Sequence, residues 1–210
     1  MLSATYFFPP DIQRQGTNQI YAGNVDNIQK GHLVPAETYS FDCLSMVSTF
    51  KYTNAVPQYA SFNMGPWKAY EDKVRKFAKD VCSLAPGGDL YLLTGTSKAV
   101  LRQDGTADGT ADYEPFRQAI AIPNSMWTAG CCIANGQVKG AFAAFGNNVQ
   151  LNPEMRQETV ANLEQFLTTG VDQQLQVSLF PGEEGCSHRS NQFRYEEGTN
   201  PRWTKAIILS

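Results

Sequence analysis

The stretch Asn63-Met-Gly-Pro-Trp67-Lys-Ala-Tyr-Glu71-Asp-Lys-Val-Arg75 decides the reading of this chain, because it lays polar residues at four-residue steps over a helical apolar period. Trp67, Tyr70, Val74, Phe77, Ala78 and Val81 recur every three or four positions, while Lys68, Asp72, Lys73, Lys76 and Lys79 fill the other faces. The spacing predicts a helix from Asn63 to about Cys82, stopped by Pro86-Gly87-Gly88. Along it, positions 63, 67, 71 and 75 form one row, so Asn63, Glu71 and Arg75 are expected to face one ligand. An amide oxygen and a carboxylate are hard donors that suit Mg²⁺, which keeps much of its water and needs few protein ligands. A histidine presented from a neighbouring β segment would complete a site able to activate water against a phosphate.

Upstream, Asp11 to Asn27 is polar and irregular, with at most a short strand at Ile20 to Tyr21. Leu44 to Asn54 is rich in β-formers, and Pro57 is expected to end that strand. Downstream, Asp89 to Thr96 reads as a buried strand that Val100 to Arg102 either extends or re-pairs with. The tandem Asp104-Gly-Thr-Ala107 and Asp108-Gly-Thr-Ala111 has too few acids for an EF-hand and reads as a surface loop. Ser125 to Ala134 and Val138 to Phe145 flank Asn135-Gly136, which predicts a hairpin with a type I′ turn. Asn152-Pro153-Glu154 is expected to open a helix to about Thr169, with Gly170 as its stop, and Gln174 to Phe180 to form a last strand. No domain-scale repeat or linker interrupts residues 1–210, which read as a single α+β domain with a mostly antiparallel sheet.

Composition narrows the classes. With 210 residues, 42% hydrophobic and 18% charged, the chain can bury a sizeable core and is neither disordered nor a coiled coil. No run approaches the length of a membrane span, so no membrane partner is expected. A net charge of -3 argues against coating nucleic acid through bulk positive charge, but leaves room for a locally basic groove. None of the five cysteines forms a CxxC, which disfavours structural zinc and favours disulfides in an oxidising compartment. Cys131 and Cys132 on a strand would point to opposite faces and need different partners. Cys82 and Cys186 are expected to take one each, leaving Cys43 free or paired outside the chain; the alternative is five reduced, buried cysteines in a cytosolic protein. The start, Met1 to Pro10, lacks the features of a signal peptide, so a secreted reading requires residues upstream, as in a truncated gene model or an excised domain.

Three blocks, GHLVPA at Gly31 to Ala36, TNAVPQ at Thr53 to Gln58 and the Asn63 to Arg75 run, agree in order and spacing with a known pattern. The chain resembles the DNA/RNA non-specific endonuclease family, whose usual pattern is close to DRGH, then N-x-x-PQ, then N-x-G-x-W-x-x-x-E-x-x-x-R. The resemblance extends over roughly residues 20 to 180, and the cysteines are similar to those of the animal, extracellular branch. It implies a ββα-metal (His-Me finger) fold and a divalent-metal-dependent endonuclease with little sequence preference, DNA being the first substrate and RNA the second.

The resemblance further implies His32 as general base, Asn63 as the direct ligand of a single Mg²⁺ or Mn²⁺, and Glu71 as a ligand through water. Arg75 would hold the phosphate or stabilise the developing negative charge, Lys30 would bind phosphate, Asn54 and Gln58 would support the site by hydrogen bonding, and the products would carry 5′-phosphate and 3′-hydroxyl ends. The chain departs from the pattern at Gln29-Lys30-Gly31-His32: a lysine, a point charge, replaces an arginine fork, and Gln29 removes a negative charge for which Asp26 is the nearby substitute. His188 reads as a structural or surface residue, and Trp67 and Tyr70 as core packing. Lys68, Lys73, Lys76 and Lys79 form either a solvated face or contacts to a nucleic-acid backbone. No G-x-S-x-G is present, and no local signature supports Cys43 or Cys132 as a protease nucleophile with His32 or His188. The rival from outside the enzymes is a catalytically weak module that binds nucleic acid or protein on the same fold.

Overall fold

A computed structural model describes residues 16–23, 27–102, 106–169, 176–188 and 207–208. Residues 18–23 are turns, where a short strand at Ile20 to Tyr21 is expected, and Asp26 lies outside the described residues. β1 (Ile28–His32) pairs antiparallel with β2 (Ala55–Tyr59), setting Lys30 opposite Pro57 and His32 opposite Ala55. Pro57 therefore sits inside a strand and does not end one. A two-stranded pair leaves each strand an outer edge, where the missing proline N–H breaks no ladder.

The strand expected over Leu44 to Asn54 is overturned. Cys43–Ser48 is a short helix, α1, and Tyr52–Asn54 is a 3-10 turn. The Asp42 side chain accepts a hydrogen bond from the Ser45 amide at 2.7 Å, a capping contact that outweighs a β preference with no neighbouring strand to satisfy it.

The central helix comes in pieces: α2 (Ala60–Phe62), a π-helical turn at Asn63–Trp67, α3 (Lys68–Phe77) and a second π turn at Ala78–Cys82. Gly65 leaves helical geometry at φ -99 and ψ -110, just before Pro66, which has no N–H to give the preceding turn. The row expected through 63, 67, 71 and 75 is thus broken between Asn63 and Trp67, and regular only beyond it.

β3 (Gly88–Ser97) contains the expected buried strand, whereas β4 (Val100–Leu101) neither extends it nor pairs with it and instead forms a separate pair with β5 (Ala107–Asp108). β6 (Glu114–Phe116) and β7 (Ile120–Ile122) form a small hairpin. β8 (Ser125–Ala134) and β9 (Gln137–Asn147) join through Asn135 and Gly136, both at positive φ (52 and 69), as a type I′ turn requires. The helix expected from Asn152 begins later. Asn152 takes φ 47, β10 (Arg156–Glu158) pairs with β9, and α4 (Val160–Thr169) starts behind Thr159, whose hydroxyl accepts from the Asn162 amide at 3.0 Å. Gly170 lies outside the described residues, and the last strand expected by Phe180 is absent over 176–180. α5 (Glu184–His188) and β11 (Ile207–Ile208) follow.

The five-stranded sheet runs β10-β9-β8-β3-β11, antiparallel throughout except where β11 meets β3. Alternation along β8 and β9 builds a core on each face. Cys131, Ala141, Ala143 and Phe145 pack with Leu163 and Phe166 of α4, whereas Cys132, Phe142 and Ala144 pack with Tyr70 and Phe77 of α3. Each core carries one disulfide, Cys131 to Cys186 and Cys82 to Cys132, the vicinal pair diverging as strand geometry demands. Cys43 is free and exposed. No helix among the described residues is long and apolar enough to cross a membrane.

Candidate active site

The site assembles where β1 and the loop after it meet the kinked helix. Lys30 and His32 lie two residues apart on β1 and project to one side. The His32 ring meets Phe50 edge-on at 5.4 Å. Its Nε2 is buried with no hydrogen-bond partner among the described residues. Burial holds the imidazole pKa below its ordinary 6.5, so the ring is neutral near pH 7 with a nitrogen lone pair uncommitted.

Lys30 is engaged within the protein. Its ammonium lies 5.9 Å and 5.7 Å from the ring centres of Tyr21 and Tyr52 and donates to Asn18 Oδ1 at 3.3 Å. The Tyr52 hydroxyl donates to the same oxygen. Between Lys30 and His32, a Cβ on Gly31 would run into the side chain of Gln58, which explains the glycine at this position. Gln58 is fully buried; its amide donates to the Met126 sulfur, and its Oε1 has no partner.

Three links bring the β1 segment to the helix. The Asn63 amide nitrogen donates to Gln29 Oε1 at 2.8 Å. Leu33, Val34 and Pro35, which follow His32, line a cavity with Thr38, Trp67, Tyr70, Glu71 and Val74. Arg75 Nη2 reaches Glu37 Oε2 at 3.1 Å and also pairs with Asp72. Asn54 locks the loop in place: its Oδ1 accepts from Val34 N at 2.9 Å, and its Nδ2 donates to the Val34 and Thr49 carbonyls, each at 2.8 Å.

Inside the cavity, burial raises the Glu71 carboxyl to about 7, against the pull of the Arg75 guanidinium. The Trp67 indole N–H faces the Glu71 carboxyl and favours its charged form, while the Tyr70 hydroxyl is buried with no partner among the described residues. Trp67 otherwise packs with Phe62 and Met126, so it anchors the helix. His188 is exposed at the end of α5, and Lys79 is 8% exposed, which takes it off the solvated face expected for it.

Three further residues hold the site and escape sequence reasoning. Glu37 covers Arg75 from a 3-10 turn (Ala36–Tyr39), and no spacing signals that a loop acid folds back onto the helix. Asn148, 3% exposed, ties β2 to the sheet: its Nδ2 donates to the Pro57 and Pro123 carbonyls at 3.0 Å and 3.1 Å, and its Oδ1 accepts from Tyr59 N at 3.0 Å. Gln29 stands out in the sequence only as a departure, and its contact with Asn63 spans 34 positions.

Among the described residues no group of three or more His, Cys, Asp or Glu forms a metal cage. The Asn63 amide oxygen and the Glu71 carboxyl are donors that suit a hard cation keeping most of its water, although the cavity that Glu71 lines is bordered by neither Asn63 nor His32. The antiparallel pair β1 and β2, with the helix that follows it, forms the ββα arrangement of a ββα-metal fold. A family model described as DNA/RNA non-specific endonuclease matches residues 4–179, and the chain belongs to that family. Among solved structures, a chain from "Crystal structure of the EndoG/EndoGI complex: Mechanism of EndoG inhibition" superposes with a TM-score of 0.55 at 16% identity, over 75% of this chain and 65% of that one. The likeness shows the fold, and the match spans less than two thirds of that chain. No curated protein sequence matches.

Proposed function

We propose that this protein is a divalent-metal-dependent endonuclease that cuts DNA first and RNA second with little sequence preference. The observation that carries this reading is His32, a neutral imidazole with an unpartnered Nε2, on a strand whose next loop packs around Glu71. His32 takes the proton of the attacking water on its neutral imidazole. The phosphorus–O3′ bond breaks, leaving a 5′-phosphate and a 3′-hydroxyl. Asn63 would hold a single Mg²⁺ or Mn²⁺ through its amide oxygen, and Glu71 would act on the ion's water. The chemistry such an ion supplies is stabilisation of negative charge on the phosphate and the departing oxygen.

Arg75 and Lys30 draw the phosphate electrostatically, and substrate must displace Glu37 from one and Asn18 from the other. Asn54 and Gln58 support the site: Asn54 fixes the loop behind His32, and Gln58 fills the space above Gly31. Residues 1–210 act as one domain, and the two disulfides favour an oxidising, extracellular setting. A second reading, a module that binds nucleic acid or protein and cuts weakly, draws support from these internal engagements of Lys30 and Arg75.

Plasmid nicking with Mg²⁺, with EDTA and with His32→Ala separates the two. Cutting that disappears with both EDTA and the variant supports the nuclease. DNA binding without cutting, by folded protein under Mg²⁺ and Mn²⁺, supports the module. Lys30→Arg tests the departure at that position: unchanged rate and affinity would remove residue 30 from the phosphate site.

A further inference from the structure

We infer that Gln29 is a positioning residue for the metal ligand: its side-chain amide orients the Asn63 carboxamide so that Oδ1 is the atom offered to a hard cation. This rests on the reading of Asn63 as ligand given above. Chemistry fixes the donor or acceptor role of Met64 Sδ, Gln29 Nε2, Gln29 Oε1 and Asn63 Nδ2. A thioether sulfur has no hydrogen to give, so where Met64 Sδ sits 3.4 Å from the Gln29 amide nitrogen it is the acceptor. That contact turns Gln29 Nε2 toward Met64 and Oε1 toward Asn63. An amide oxygen only accepts, so Asn63 must present Nδ2–H to it, as the 2.8 Å contact shows. The Asn63 oxygen, on the other arm of the same planar group, is then directed away from Gln29.

The placement explains why a neutral residue serves here. A carboxylate at position 29 would accept from Asn63 equally well and would add a negative charge near the cation. Glutamine keeps the orienting contact and gives up that charge. Partners of this kind, which touch a ligand and not the metal, alter metal affinity by roughly 10- to 100-fold when removed. Asn63 itself keeps helical backbone angles (φ -61, ψ -49), with the kink two residues on at Gly65, so its backbone aims the side chain and the Gln29 contact selects which arm of the carboxamide faces away.

The test measures Mn²⁺ binding alone, by electron paramagnetic resonance of free Mn²⁺, with no substrate and no turnover. Wild type, Gln29→Leu, Gln29→Glu and Asn63→Ala are compared, with near-ultraviolet circular dichroism to confirm native packing. Gln29→Leu is expected to weaken binding about 10-fold or more. Gln29→Glu, which restores an acceptor, should bind at least as tightly as wild type. If Gln29→Leu binds Mn²⁺ like wild type while Asn63→Ala loses it, the inference about Gln29 fails and the ligand assignment stands. If Asn63→Ala also binds like wild type, the ligand assignment itself is wrong, and this inference falls with it. Weakening in both Gln29→Leu and Gln29→Glu would overturn the acceptor role. Should Gln29→Leu lose native packing, Met64→Leu replaces it, because it removes only the sulfur acceptor; an unchanged affinity there overturns the orienting chain.

Discussion

Glu37 reaches over Arg75 to place Oε2 3.1 Å from Nη2, so the arginine expected to meet phosphate already carries one acid from a loop and a second, Asp72, from its own helix. Glu37 is largely solvent-exposed, and exposed pairs contribute little, roughly 0.2–1 kcal/mol. Substrate phosphate, a monoanion like Glu37 but offering two oxygens to the guanidinium fork, competes with so exposed a contact. Glu37→Gln removes the competitor and leaves the loop length unchanged. The expected result is a fall in KM of about two- to five-fold at low salt, shrinking as salt screens the pair. A KM unaffected at low salt would show that Arg75 does not bind substrate through this face.

The lowered pKa of His32 gives two linked pH predictions. A group whose folded pKa is depressed takes up a proton in the unfolded chain first as pH falls. Its contribution to stability is therefore complete above the unfolded value of 6.5 and is lost as pH drops through the folded pKa. Nuclear magnetic resonance titration should place the His32 midpoint below 6.5, and the acid limb of kcat/KM should follow it. His32→Gln should cut turnover by about 10²- to 10⁴-fold and remove that limb. A His32 midpoint above 6.5 would contradict the burial argument.

Each disulfide closes a long loop, with sequence separations of 50 and 55, and each pins a helix to a different face of the sheet. Chain-entropy reasoning gives roughly 4 kcal/mol for loops of this size. Cys131→Ser with Cys186→Ser, and separately Cys82→Ser with Cys132→Ser, should each lower urea-derived unfolding free energy by about 2–4 kcal/mol. The Cys82–Cys132 pair anchors the far end of the helix carrying Asn63, Glu71 and Arg75, so its loss should also reduce activity of the protein that remains folded.

Asn148 spends its whole amide on the backbone around β2. Asn148→Ala strands two buried carbonyls and a backbone amide, at about 1–3 kcal/mol for each group that finds no water. A loss of about 2–4 kcal/mol in unfolding free energy is expected, with a drop in kcat because β2 carries the partner of the His32 strand. Asn148→Ala as stable as wild type would show that water replaces the amide and that the tie is dispensable.

Several features were legible before any coordinates because their causes are local. Asn135-Gly136 sits between apolar runs and can do little but turn, since both positions tolerate positive φ. The Trp67 to Val81 period is helical because a 3.6-residue repeat suits no strand. Strand alternation alone sends Cys131 and Cys132 to opposite faces. The Leu44 to Asn54 run misled because β preference is realised only against a neighbouring strand, and none is there; Asp42 captures the chain into α1 first. The α4 start was misplaced because β9 offers β10 an edge, and the pairing holds residues 156–158 extended until Thr159 can cap.

The sequence by itself determined the family, the order of the three motif blocks, the antiparallel hairpin and which residue types the site contains, since these depend on composition and short-range spacing. Only the tertiary structure decided how those residues are engaged. That Lys30 lies against two tyrosines, that Glu37 covers Arg75, that Gln29 holds Asn63 and that Asn148 ties β2 to the sheet are contacts between segments far apart or joined through loops. The physical reason is that a side chain's partner is fixed by which surfaces the packed core brings together. Burial, which sets the charge state of His32 and Glu71, exists only once that core has formed.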